Sequence, residues 1–282
     1  MVEAFLTDAL KQRLLFFSGK GGVGKSVLAW ATALCLRRKG KKVTLVSWNP
    51  FDAETKPLPT ASLGIDWLQL ETMACFQEYV LKALRFERIY SMVFDNHVLR
   101  TFVRVAPGLP DTVIAGKVWD LYESGTQDCL IVDLPSSGHA ISFFESPIGV
   151  NKVFGKGFVH KESEKILRMF QSEDVRFNLV TLLEELPLQE SQELKAKLSS
   201  LLSIKFGYVI ANQVLPHFSP PKPMPAEPLA STWKTYEEEC SAQTETLPAA
   251  KSLGMPLVSV PKIAAKGFVE MVKTVADHLE KQ

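Results

Sequence analysis

Eight residues near the start of the chain, Gly19-Lys20-Gly21-Gly22-Val23-Gly24-Lys25-Ser26, constrain the fold more than any other stretch. They stand between the apolar run Leu14-Leu15-Phe16-Phe17 and a helical pattern that runs from Val27 to Lys39. Strand, glycine-rich turn and helix in that order satisfy G-x-x-x-x-G-K-[ST], the phosphate-binding loop. Its glycines let backbone N–H groups turn inward around an anion, Lys25 reaches the β and γ oxygens of a nucleotide, and Ser26 offers its hydroxyl to Mg²⁺. The helix behind the loop aims its positive end at the same anion. Gly19, Lys20, Gly21, Gly22, Val23, Gly24, Lys25, Ser26 and Val27 are the expected cradle.

The helix should end at Gly40, after the basic pair Arg37-Arg38, and Val43 to Ser47 reads as a second buried strand. A strand, helix and strand at that spacing make a βαβ unit, so the sheet starts parallel. Further strands are expected at Leu68–Glu71, Cys129–Val132, Phe177–Thr181, Phe206–Ala211 and Leu257–Val260, with helices between them. The expected fold is α/β: a doubly wound, mostly parallel sheet in one domain over residues 1–282. The chain has 282 residues, 46% hydrophobic and 22% charged, which suits such a domain. A net charge of +1 gives no field that would favour nucleic acid. No apolar run is long enough for a membrane span and no leader precedes the first strand, so a cytoplasmic site of action is expected. Cys35, Cys75, Cys129 and Cys240 are scattered, without C-x-x-C, which argues against a zinc site.

Lys20 is a second lysine in one loop. It cannot reach the phosphates of its own subunit without crowding Lys25, so it is expected to point outward. A loop written G-K-G-G-V-G-K-S resembles the deviant Walker A of the MinD, ParA, nitrogenase iron protein and ArsA families. That resemblance implies an ATP-dependent dimer in which Lys20 reaches the partner's nucleotide and acts in trans like an arginine finger.

Two further stretches bear on the site. Asp133 closes the apolar strand Cys129-Leu130-Ile131-Val132, the Walker B pattern for holding Mg²⁺. The run from Asp133 through Gly138, His139 and Phe143 to Pro147 is similar to the second switch of the ArsA branch, with Gly138 as a hinge beside His139. A structural role for His139 is the alternative. At the end of the second strand, in Ser47-Trp48-Asn49-Pro50-Phe51-Asp52-Ala53-Glu54, the ArsA and tail-anchored-protein targeting ATPases carry an Asp that positions the attacking water. Asn49 occupies that place here, and an amide cannot accept the water's proton. Asp52 or Glu54 could supply a carboxylate, or both are solvated loop acids.

The resemblance also implies that Asn212, at the end of a strand, recognises the adenine edge and that Pro261 begins the loop lining the base pocket; a capping or turn role is the alternative for Asn212. From Met73 to about Val105 the pattern is helical and apolar on more than one face. Residues 73–126 are therefore expected as a small helical lobe inserted between the two switches, either packed on the sheet and a second subunit or offering a groove to a client helix. Residues 148–175 are expected as a glycine-marked insertion before a helix from Lys161 to Gln171. Residues 216–228 read as a proline-rich loop, and the final helix should pack its apolar face on the sheet rather than on a membrane.

The expectation that follows is a dimeric ATPase of the ArsA and tail-anchored-protein targeting type. It would form a homodimer, or a heterodimer with a related ATPase subunit, and serve a membrane-protein or transport partner, in the cytoplasm or peripherally at the inner membrane surface. A MinD- or ParA-like positioning ATPase, a hydrolysis-deficient subunit of a hetero-oligomer and a small-molecule enzyme of the same fold are the alternatives.

Overall fold

In the computed structural model, which describes residues 2–49, 61–84, 106–223 and 226–281, a seven-stranded sheet has the order β3-β2-β4-β1-β5-β6-β7. The strands are β1 (Leu14–Ser18), β2 (Val43–Trp48), β3 (Asp66–Leu70), β4 (Cys129–Asp133), β5 (Val175–Thr181), β6 (Phe206–Val214) and β7 (Leu257–Pro261). Every pairing is parallel. A parallel sheet must be covered on both faces, which is why its central strands read as unbroken apolar runs. All five residues of β1 are buried.

Among the described residues, three helices cover one face: α1 (Val2–Ala9), α2 (Lys25–Arg38) and α9 (Phe268–Lys281). Residues 28–36 of α2 are all buried, because the sheet lies on one side of it and α9 on the other. The apolar stripe of α9, Val272, Val275, Ala276 and Leu279, is spent on this contact. Arg38 closes its edge with ion pairs to Asp277 at 2.7 Å and Glu280 at 2.8 Å.

The other face carries α3 (Thr72–Leu84), α4 (Leu109–Ser124), α5 (Ser137–Phe154), α6 (Phe158–Phe170), α7 (Glu185–Leu201) and α8 (Leu229–Lys251). Phe16 of β1 meets Phe143, Phe144 and Phe170 edge-on, with ring centroids 5.3–6.0 Å apart. The described part of the helical stretch joins this core through Cys75, Val113, Ile114, Ala115 and Val118. Residues 85–105 of that stretch lie outside the described residues.

One expected boundary is corrected. Residues 148–154 are no insertion: α5 runs unbroken from Ser137 to Phe154, through Pro147 and Gly149. A proline inside a helix removes one backbone hydrogen bond. Full burial of Phe143 and Phe144 just before it holds the helix together, and Gly155, at φ 52°, ends it.

Candidate nucleotide site

The crevice lies outside the carboxyl ends of β1 and β4, the usual ligand position in open α/β sheets. Between β1 and α2 the backbone must turn under neighbours that leave no room for side chains. A Cβ at Gly19 would sit 2.0 Å from the Val180 carbonyl oxygen, and one at Gly24, where φ is +91°, would sit 2.3 Å from Nδ2 of Asn212. The loop is thus wedged between β5 and β6 as well as joined to β1.

Lys25 and Ser26 open α2, with Val27 behind them in its first turn. The Lys25 ammonium donates to the Lys20 carbonyl oxygen at 2.9 Å, so it folds back over the loop. Burial lowers its pKa, against the raising influence of Asp133 and Glu190.

Asp133 ends β4 in register with Phe17 of β1 and Ser47 of β2. Its carboxylate stands beside the Ser26 side chain, and burial raises its pKa to about 6 against the lowering influence of Ser26 and of the Lys25 charge. Oδ1 is buried without a hydrogen-bond partner, although the residue as a whole is only half-buried. A hydroxyl beside a carboxylate oxygen that lacks a donor is an all-oxygen set suited to Mg²⁺, so these residues fit the expected ion.

Lys20 is the correction. It does not stand free and outward: its ammonium pairs with Glu190 Oε1 of α7 at 2.8 Å. Glu190 Oε2 in turn accepts from Ser137 Oγ, in the first turn of α5, at 3.0 Å. One carboxylate therefore joins the phosphate loop to the helix that follows Asp133. The Lys20 bond lowers its pKa most, with burial opposing and Ser137 assisting. Glu190 had no signal in the sequence, where it is one of several acids on a helix.

Gly138 is exposed within the first turn of α5, with open space where a Cβ would stand. His139 lies near Asp111 in the first turn of α4; burial raises the Asp111 pKa and His139 pulls it back. Asn49 follows β2 directly, half-buried and with contacts of its own. Asp52 and Glu54 lie outside the described residues.

Asn212 is buried and donates from Nδ2 to the Val23 carbonyl oxygen at 2.8 Å. This amide ties the phosphate loop to β6. Pro261 ends β7 opposite Val214, and beside it a cleft of about 320 Å³ is lined by Leu182, Gln213, Leu215, Gln243 and Lys262. Gln213, at φ 55°, bulges β6 there, and Gln243 braces the bulge by accepting from Leu215 N at 2.9 Å and donating to the Gln213 carbonyl at 3.3 Å. Neither glutamine was singled out by sequence pattern.

The cysteines are buried, and burial raises the thiols of Cys35 and Cys129 to about 12, so both stay protonated. Among the described residues no helix is long and apolar enough to cross a membrane.

Comparison with known proteins accords with this geometry. The family model described as anion-transporting ATPase matches residues 12–172. ATPase BagA of Mycobacterium tuberculosis is 31% identical over 235 residues, covering 74% of this chain and 67% of that protein. The arsenical pump-driving ATPase of Escherichia coli is 29% identical over 289 residues, covering 90% of this chain and 48% of the pump ATPase.

Proposed function

We propose, from the premise that this chain belongs to the anion-transporting ATPase family, that it is an ATP-gated switch protein working as a dimer. The observation that carries the reading is the phosphate loop set against the Ser26–Asp133 pair. Ser26 and Asp133 would hold Mg²⁺, which would neutralise charge on the phosphates. Lys25 exchanges the Lys20 carbonyl for a phosphate oxygen, a stronger, charge-assisted bond. The glycine backbone and the N-terminus of α2 supply the remaining donors.

Lys20 is the moving part. To serve a partner's nucleotide it must leave Glu190. Its ammonium and the carboxylate are both about a third exposed, and ion pairs with such access to water contribute only about 0–1 kcal/mol. A triphosphate offers more charge, so the exchange is downhill once two subunits meet. Glu190, released from Lys20, keeps its contact with Ser137 and the attraction of Lys25, and α5 is freed to respond.

Asn49 supports slow hydrolysis, because its amide cannot serve as a base for water. This favours a second form of the same reading: pairing with a related, hydrolysis-competent subunit. A membrane-binding role like that of MinD is less well supported, since the apolar stripe of the last helix is buried against α2. The Escherichia coli relative is by name the ATPase of an arsenical pump. For this chain, whose four cysteines are buried and make no ligand cluster among the described residues, we assign a membrane-protein or transport partner rather than arsenite itself.

Titration calorimetry with ATP and Mg²⁺ tests the site. Wild-type protein should bind one nucleotide per chain, and Lys25→Ala should bind roughly 10- to 100-fold more weakly, the worth of one or two charge-assisted hydrogen bonds. Equal affinity in the two proteins would contradict the assignment.

A further inference from the structure

The helical face of the sheet holds a cavity of about 190 Å³ between α3, α4, α5 and α6. Its wall is mostly apolar and unusually rich in rings: Phe76 and Tyr79 from α3, Trp119 from α4, Phe154 from the end of α5 and Phe158 from the start of α6. Phe154 and Phe158 are 53% and 48% exposed, which marks the mouth. Tyr79 and Phe158 lie 5.6 Å apart, ring centroid to ring centroid.

Of the charged side chains at the wall, Glu78, Lys117 and Glu162 are held in ion pairs, and Asp120 also has contacts of its own. Lys117 pairs with Glu78. Glu162 pairs with Lys165, whose ammonium also lies over the Trp119 ring, 4.8 Å from its centroid. A charged guest would have to compete with these pairs, whereas an uncharged one leaves them intact. An apolar cavity of about 150 Å³ already admits benzene, and aromatic walls favour offset and edge-on ring contacts with an aromatic guest. The volume is too small for a helix.

One element spans this cavity and the nucleotide site. Helix α5 begins at Ser137, bonded to Glu190, and its last two turns contribute Val150 and Phe154 to the cavity wall. At its length the two ends are about 27 Å apart.

We propose that this cavity binds an uncharged aromatic molecule of one or two rings, and that its occupancy is coupled through α5 to the nucleotide site. Binding at the cavity stands on the wall alone; the coupling rests on the ATP reading. A guest that prefers one position of α5 must change nucleotide affinity, and nucleotide must change the guest's affinity by the same factor.

Indole is a suitable probe, followed by calorimetry on the full chain. Wild-type protein should bind it saturably at one site. A Cβ at Gly116 would touch only Ile166 Cδ1, at an ordinary 3.8 Å, so Gly116→Leu fills the cavity without backbone strain and should weaken indole at least tenfold. Val150→Phe fills it from α5 and should do the same if the first variant folds poorly. Adding the non-hydrolysable analogue AMP-PNP with Mg²⁺ should shift indole affinity at least threefold, with a reciprocal shift of equal size. Absence of saturable binding, or unchanged affinity in the folded filled variants, overturns the site. Unchanged indole affinity in the presence of a nucleotide that demonstrably binds overturns the coupling. Nucleotide affinity measured without indole separates that result from failure of the ATP reading.

Discussion

The two faces of the sheet are built to different ends. On the face covered by α1, α2 and α9, Trp30 is fully buried between Trp67 and Phe268, the last helix buries its apolar stripe mainly against α2 and also against α1 and β7, and Arg38 ties the edge with two carboxylates. Each face has a cavity, a polar cleft of about 170 Å³ beside α1 on the first and a ring-lined one of about 190 Å³ on the second, where the core is equally tight around Phe143 and Phe144 but Val153, Phe154 and Phe158 stand exposed at its outer edge. Packing of the first kind resists change because interiors at crystal-like density have few alternative arrangements. The second kind leaves room to move. The elements that would respond to nucleotide, α5 and α7 with their Ser137–Glu190–Lys20 chain, lie on that looser face.

The contrast can be broken most forcefully at Trp30. Trp30→Ala should cost about 3–5 kcal/mol in chemical denaturation, as for other fully buried large side chains; a cost below about 1 kcal/mol would mean that this face is not rigid. Asp133 comes next. Its folded pKa, near 6, lies above the unfolded value of about 3.9. The native state therefore binds the extra proton between those values, and stability of the nucleotide-free protein falls as pH rises from about 4 to 6. The loss is on the order of 3 kcal/mol at 1.36 kcal/mol per unit. Asp133→Asn should remove that fall, and denaturation midpoints for both proteins at pH 4.5 and 7 measure it. In wild-type protein, Mg²⁺-dependent nucleotide affinity should rise through the same window, because the ion needs the carboxylate.

A smaller effect is expected at the joint between loop and sheet. Asn212→Ala leaves the Val23 carbonyl without its donor and should cost about 1–3 kcal/mol, with weaker nucleotide binding as the loop slackens. The smallest belongs to the loose face: Phe154→Ser should stay within about 0.5 kcal/mol of wild type, while weakening indole binding.

How far the sequence was legible follows the same division. Short-range patterns carried the phosphate loop, the buried runs of β1 and β4, the stop at Gly40 and the apolar stripe of α9, since each is decided by residues within a few positions of one another. Boundaries failed where tertiary packing overrode a local breaker. Gly149, Gly155 and Gly157 suggested an insertion opening at residue 148, yet burial of Phe143 and Phe144 carries α5 through Pro147 and Gly149. The contacts that organise the site were the least legible. Glu190 meets Lys20 and Ser137, and Asn212 meets Val23, across long stretches of chain. A carboxylate on a patterned helix gives no hint of which lysine it will face. Lys20 was legible as a second lysine in the loop, but it was expected to point outward, and its resting partner could come only from the fold.

The central claim is that Lys20 exchanges Glu190 for a neighbouring subunit's triphosphate, and multi-angle light scattering with ATP and Mg²⁺ tests it most directly. Wild-type protein should double in mass with ATP and not with ADP, Lys20→Ala should stay monomeric while still binding nucleotide, and Glu190→Gln should dimerise at lower ATP concentration because the resting partner is weakened. Dimerisation that persists unchanged in Lys20→Ala, or that Glu190→Gln makes harder, would contradict the account.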